Sequence, residues 1–146
     1  MKISPDFRVF IACANDHDVR FLIVGGYAVA YYGHPRYTKD LDVWVDATDL
    51  NAQRLLAALE DFGFGALDLG SDDFLVPDRV IQLGYPPLRI VLLTSVSGVS
   101  FDECYPNRRV VEIDDVEVPF IGLDDLKTNK RASGRHQDLA DLENLE

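Results

Sequence analysis

The chain has 146 residues, the size of one ordinary domain, and 47% of them are hydrophobic, enough to bury a core. Its formal net charge of −11 repels a nucleic-acid backbone and argues against a broad, non-specific DNA or RNA footprint. No apolar run reaches the roughly 18–20 residues that span a bilayer, and the opening MKISPDFRVF has no secretory apolar core; the sequence predicts a cytoplasmic protein without a membrane partner.

Ser4-Pro5 reads as an N-cap with proline at the first helical position, and Phe7, Phe10, Ile11 and Ala14 follow at helical spacing. That helix should end near Asn15 to Asp18. Phe21 to Val24 is a short apolar strand, broken by Gly25-Gly26, after which Tyr27 to Tyr32 reads as a short helix stopped at Gly33-His34-Pro35. Leu41 to Val45 is a second strand, with Leu41, Val43 and Val45 on one face and Asp40, Asp42 and Trp44 on the other. Thr48 or Asp49 caps a helix to about Phe62 with Leu50, Leu55, Leu56 and Leu59 inward, ended by Gly63 and Gly65.

The second half is β-rich. Val80 to Leu83 and Leu88 to Leu93 read as strands joined by Gly84-Tyr85-Pro86-Pro87, and Arg109 to Ile113 and Glu117 to Ile121 as a hairpin around Asp114-Asp115. A helix starts at Asp124 and runs through Lys130. Gly134 interrupts, and a last helix runs from about Gln137 to Leu145. The order implies a single α/β (α+β) domain over residues 1–146, a mixed sheet flanked by helices.

Two features carry chemistry. A strand, Gly-Gly and then a helix lets the backbone approach a phosphate closely and presents free N–H groups to it. Asp40 and Asp42, at alternate strand positions, point to one side roughly 6.6 Å apart, where two carboxylates can converge on a divalent cation such as Mg²⁺. Alone, a D-x-D spacing reads first as the solvent face of an amphipathic strand. Trp44 on the same face and the apolar flanks place the pair in a cleft instead. The sequence KTNKRASGR gathers Lys127, Lys130, Arg131 and Arg135 into a basic island in an acidic chain. It is either a solvated helix end or a phosphate contact.

Other residues read more plainly. Cys13 and Cys104 match no metal spacing and read as reduced thiols, and His17, His34 and His136 do not cluster. Ser95, Ser97 and Ser100 lack a nucleophile-elbow context and read as turn-shaping. Tyr27, Tyr31 and Tyr32 fit base stacking or helix packing, and Trp44 fits a nucleotide flank or a sheet interior.

Val24-Gly25-Gly26, a gap from Tyr27 to Lys39, then Asp40-Leu41-Asp42 resembles the signature of the nucleotidyltransferase superfamily, the DNA polymerase β-like fold. The stretches VGGYAVAYYGHPRYTKDLDVWVD, LLTSVSGVSF, VPFIGLDDLKTNKRASG and DLADLENL extend the likeness over nearly the whole chain, toward the minimal nucleotidyltransferases that include toxin–antitoxin and abortive-infection components. The resemblance implies transfer of a nucleoside monophosphate from an NTP to an acceptor hydroxyl, with pyrophosphate leaving. It implies that Asp40 and Asp42 hold Mg²⁺ or Mn²⁺ and that Gly25 and Gly26 cradle the phosphates. Arg36 and Thr38 would contact phosphate or acceptor, Lys130 and Arg135 would neutralise the triphosphate, and Asp138 would lie near the same cleft. The partners it implies are an NTP, an acceptor such as a tRNA or a protein, and a partner protein or a second copy of the chain.

One position departs from the family pattern. A third carboxylate is expected on the strand before Leu93-Thr94-Ser95, where this chain has Val91. Valine neither ligates a cation nor accepts a proton, and general-base help is worth roughly 10²- to 10⁴-fold. Asp102, Glu103 and Glu112 are the candidate substitutes, on other predicted segments. The second expectation is therefore a catalytically impaired module that binds a nucleotide or a partner.

Overall fold

The computed structural model describes residues 1–33, 38–63, 69–85 and 88–145. Six strands, β1 (Phe21–Val24), β2 (Asp40–Val45), β3 (Val80–Tyr85), β4 (Leu88–Leu93), β5 (Arg109–Ile113) and β6 (Val116–Phe120), form one mixed sheet in the order β3-β4-β2-β1-β6-β5. The β1–β2, β3–β4 and β5–β6 pairs are antiparallel, while β2–β4 and β1–β6 are parallel. The helices are α1 (Pro5–Asp16), α2 (Gly25–Tyr32), α3 (Asp49–Phe62), α4 (Phe101–Cys104), α5 (Leu123–Ser133) and α6 (His136–Leu145).

Local chemistry accounts for the element ends. The Ser4 hydroxyl accepts from the Phe7 N–H at 3.2 Å, with Pro5 at the first helical position of α1. Thr48 caps α3 in the same way, accepting from the Asn51 N–H at 3.4 Å. Asp114 and Asp115 both have positive φ, as a two-residue hairpin turn between β5 and β6 requires.

Helix α1 packs its Phe7, Phe10 and Ile11 stripe against α3 and β6. Each of these side chains is at most 1% exposed, and each contributes roughly 1.5–3 kcal/mol through burial. The core continues through all of β1, through Leu41, Val43 and Val45 of β2, and through Leu55 and Leu59 of α3.

Three sequence expectations change. Helix α2 begins at Gly25 rather than Tyr27, so both glycines are helical. Leu50 is 58% exposed rather than inward, because the buried stripe of α3 runs through Asn51, Ala52, Leu55, Ala58 and Leu59. Asn51 takes the inward place as a polar clamp. Its amide donates to the carbonyls of Arg20 at 3.0 Å and Asp46 at 2.9 Å and accepts from the Arg20 N–H at 2.7 Å, joining the ends of β1 and β2 to α3. Trp44 is 2% exposed and meets Phe101 of α4 edge to face, so it is a core residue and no nucleotide flank. Sequence reading also missed α4 and the 3₁₀ turns at Ser71–Phe74 and Tyr105–Asn107.

The tyrosines of α2 serve packing. Tyr27 meets Phe7 edge to face, Tyr31 stacks on Phe120, and the Tyr32 hydroxyl donates to the Ile121 carbonyl at 2.7 Å. Cys13 and Cys104 are both free thiols, and burial, helped by Asp125, pushes Cys104 up to about 12.

Candidate active site

Strand register brings the two sequence motifs together. Val24, the last residue of β1, pairs with Asp42 of β2, so the chain leaves β1 into α2 directly beside that carboxylate. Gly25 has φ +66°, and a Cβ there would fall 2.0 Å from Asp42 Oδ2. Only glycine accepts both that backbone conformation and that contact. The glycine turn and the second aspartate thus form one packed unit.

Asp42 opens on a cleft of about 360 Å³ between the sheet and α5–α6, lined among others by Gly25, Lys130, Arg135 and Asp138. The opposite wall is the loop after β4, with Ser95 and Ser97. That loop is pressed onto α5: a Cβ on Gly98 (φ +81°) would fall 2.4 Å from the Ala132 Cβ. The Asn129 amide donates to the Ser97 carbonyl at 2.9 Å and fixes the loop in place.

Lys130 of α5, Arg135 between the helices, and Asp138 and Asp141 of α6 form an ion-pair network. Lys130 is buried, and its Nζ lies 3.1 Å from both Asp138 Oδ1 and Asp141 Oδ2. Asp138 Oδ2 also accepts from Arg135 Nε at 2.7 Å and from the Arg135 backbone N–H at 3.2 Å, and its Oδ1 accepts from Arg135 Nη2 at 3.2 Å. Burial raises the Asp138 pKa, but the hydrogen bonds from Arg135 and Lys130 outweigh it, and the carboxyl titrates below its usual value. Those bonds raise the Arg135 guanidinium, and the nearby charge of Asp42 adds to the rise. The Arg135 side chain is 78% exposed at the cleft, with Nη1 outside the pairing to Asp138. Two cations, Lys130 and Arg135, thus face the carboxylates of Asp138 and Asp141, and the charge of Asp42 also bears on Arg135.

Asp40 stands one strand repeat before Asp42 and does not line this cleft. Its partner is Arg89 of β4, in register beside it, which donates from Nε and Nη2 to the two carboxylate oxygens at 3.2 Å each. In the next row Asp42 pairs with Val91, which is buried. The expected third acid is therefore replaced by an apolar side chain at the very position that flanks Asp42. None of the substitutes fills it. Asp102 and Glu103 lie on α4 near the far end of β2, where burial, opposed by Arg20 and helped by Asp102, raises the pKa of Asp46. Glu112 lies on β5, at the opposite edge of the sheet. Among the described residues, no group of three or more His, Cys, Asp or Glu is placed to hold a metal ion.

Of the residues singled out in the sequence, the fold gathers Gly25, Asp42, Lys130, Arg135 and Asp138 at one cleft. Gly26 is buried inside α2, and Thr38 lies outside the cleft lining, its carbonyl accepting from the Tyr27 hydroxyl at 3.4 Å. Arg36 lies outside the described residues. Sequence reading missed Asn129 and Ser133, which line the cleft, and Arg89, which pairs with Asp40 outside it. Ser95 does shape its turn, accepting from the Asp78 N–H and donating to the Asp78 carboxylate, yet it also faces the cleft.

No protein-family model matches the sequence, and no curated protein matches it. Solved structures do. A Thermotoga maritima protein that carries the nucleotidyltransferase designation superposes with a TM-score of 0.62 at 14% identity, over 94% of this chain and 88% of that one. This chain has the nucleotidyltransferase fold. The lincosamide antibiotic adenylyltransferase LnuA, with lincomycin bound, shares it at a TM-score of 0.57 and 12% identity, over 99% of this chain and 96% of LnuA. A nucleotidyltransferase-like antigenic protein of Paracoccidioides brasiliensis shares it at 0.54 and 14%, over 96% of this chain and 72% of that one. At such identities the likeness is one of fold. It agrees with the mixed sheet flanked by helices expected from the sequence. No helix among the described residues is long and apolar enough to cross a membrane.

Proposed function

We propose that the cleft at Asp42 binds an NTP with a divalent cation and transfers its nucleoside monophosphate to a hydroxyl of an RNA or protein acceptor. The observation that carries this reading is the contact of the Gly25 backbone with the Asp42 carboxylate, which joins a helix N-terminus to a metal-type ligand in one cleft. The donor chemistry fits Mg²⁺ or Mn²⁺ at Asp42, whose carboxylate has room for water and phosphate beside it, while Arg89 engages both oxygens of Asp40. Such a cation, bound with the nucleotide, supplies the charge neutralisation that lets a triphosphate sit beside carboxylates.

The chain's own residues do the rest. The amide groups at the start of α2 receive phosphate oxygens, with Gly25 at the cleft allowing close approach and Gly26 packed behind it. Arg135 reaches the phosphates as an exposed cation held in place by Asp138, and Lys130 maintains that arrangement from beneath. Arg36 and Thr38 precede the acids and contact phosphate or acceptor. The acceptor hydroxyl oxygen bonds to the α-phosphorus, the bond to the bridging α–β oxygen breaks, and pyrophosphate leaves with that electron pair. The hydroxyl proton passes to water, because Val91 cannot take it. A second reading, a nucleotide- or partner-binding module without transfer, is favoured by that same valine. The toxin–antitoxin setting and a homodimer or partner protein belong to the proposal on the sequence resemblance alone, and the cytoplasmic location on the hydropathy of the sequence.

Transfer of α-labelled NTPs, tested singly with Mg²⁺ or Mn²⁺ against total RNA and cell lysate, tests the reading. Label with the native chain that is lost in Asp42→Ala supports the transferase. Label seen only in Val91→Asp supports the binding module. No label from either chain removes the transferase reading.

A further inference from the structure

The polar row at Asp40 is built differently from the row at Asp42. Register places Asp40, Arg89 and Gly84 side by side on β2, β4 and β3, and Asp42, Val91 and Gln82 one repeat further on. Residues paired across neighbouring strands share a face. Arg89 meets both oxygens of Asp40 side-on, and its Nη1 donates to Gln82 Oε1 at 3.4 Å. The guanidinium is thus held from two strands. A bidentate arginine–carboxylate pair is among the stronger charge-assisted contacts, and its planar fork loses little freedom on pairing.

We infer that Arg89 occupies the place of a second cation at Asp40, so that the site holds a single divalent cation, with the nucleotide, at Asp42. The inference rests on the nucleotide reading above. The geometry gives two reasons. A cation brought to Asp40 would enter beside a fixed positive charge and would have to compete for both oxygens. A cation bridging from Asp42 toward β4 would meet the apolar Val91 instead of a carboxylate. Arg89 is therefore a positioning residue that acts through Asp40.

The test counts bound Mn²⁺ by electron paramagnetic resonance with each of the four α,β-methylene NTP analogues. One Mn²⁺ per bound nucleotide is expected for the native chain. Arg89→Gln should then take up a second Mn²⁺ about tenfold more tightly than the native chain, the equivalent of one lost charge-assisted contact. Arg89→Lys, which keeps the charge, should stay at one ion. Two Mn²⁺ per nucleotide on the native chain, a count that needs no variant, would overturn the inference and leave the nucleotide site standing. An unchanged second-ion affinity in a folded Arg89→Gln chain would also overturn it. If no analogue binds the native chain, the nucleotide reading itself fails and takes this inference with it.

Discussion

Gly25 and Gly134 offer a matched pair. Both have left-handed backbones, φ +66° and φ +64°, so alanine costs each about 1 kcal/mol of backbone strain. The surroundings differ. At Gly134 the nearest atom to an added Cβ is the Arg131 carbonyl oxygen at 3.7 Å, an ordinary contact. At Gly25 the Cβ would fall 2.0 Å from Asp42 Oδ2 and 2.9 Å from its Cγ. The carboxylate must leave its rotamer or β1 and β2 must separate locally, and overpacking of this kind adds about 2 kcal/mol. Gly134→Ala should therefore lower Tm by about 3 °C and Gly25→Ala by about 9 °C, at about 3 °C per kcal/mol for a domain of this size. Urea denaturation monitored by circular dichroism gives the same comparison as free energies. Gly25→Ala should also lose any stabilisation by Mg-NTP, because its Cβ displaces the proposed ligand. Equal losses for the two variants would refute the claim that the Asp42 carboxylate is packed on the glycine turn.

Three more outcomes follow from the network and the thiols. Lys130→Ala leaves Asp138 and Asp141 buried without their shared cation, and urea denaturation should show a loss of about 3–5 kcal/mol. Asp138 titrates below its usual value in the folded chain, so its pairing stabilises fully above the ordinary carboxylate range near pH 4 and fades as pH falls through the lower folded value. Asp138→Asn should accordingly cost stability at pH 7, with the difference from the native chain narrowing below about pH 4 in acid-unfolding curves. The Cys104 thiol, raised to about 12 and buried, should resist alkylation at pH 8 in the native chain and react once urea unfolds it, which mass spectrometry can follow.

Much of the fold was legible because its signals are local. Ser4-Pro5, Thr48 and the Asp114-Asp115 turn announce their elements through single-residue chemistry, and the strands of the second half stand out as apolar runs. Leu50 misled because hydrophobicity alone does not reveal which residue of a first helical turn faces the sheet. Asn51 took that place through hydrogen bonds to two strand ends that are distant in sequence. At the site, Gly25 and Asp42 were readable because strand alternation and a glycine turn are written in the chain. Arg89 was not, because its role depends on the parallel register of β2 with β4, which sequence spacing does not encode. The basic island was visible as composition. That Lys130 is spent on two aspartates emerges only when α5 packs against α6.

The most direct test of the account is thermal unfolding of the native chain and of Asp42→Ala with each NTP in turn, with and without Mg²⁺. A ligand bound only by the folded state at a hundred times its Kd adds about 2.7 kcal/mol. At least one Mg-NTP should raise the Tm of the native chain by several degrees and leave Asp42→Ala unmoved. A native chain indifferent to all four NTPs, or an Asp42→Ala chain that responds equally, would contradict the assignment of this cleft to a nucleotide.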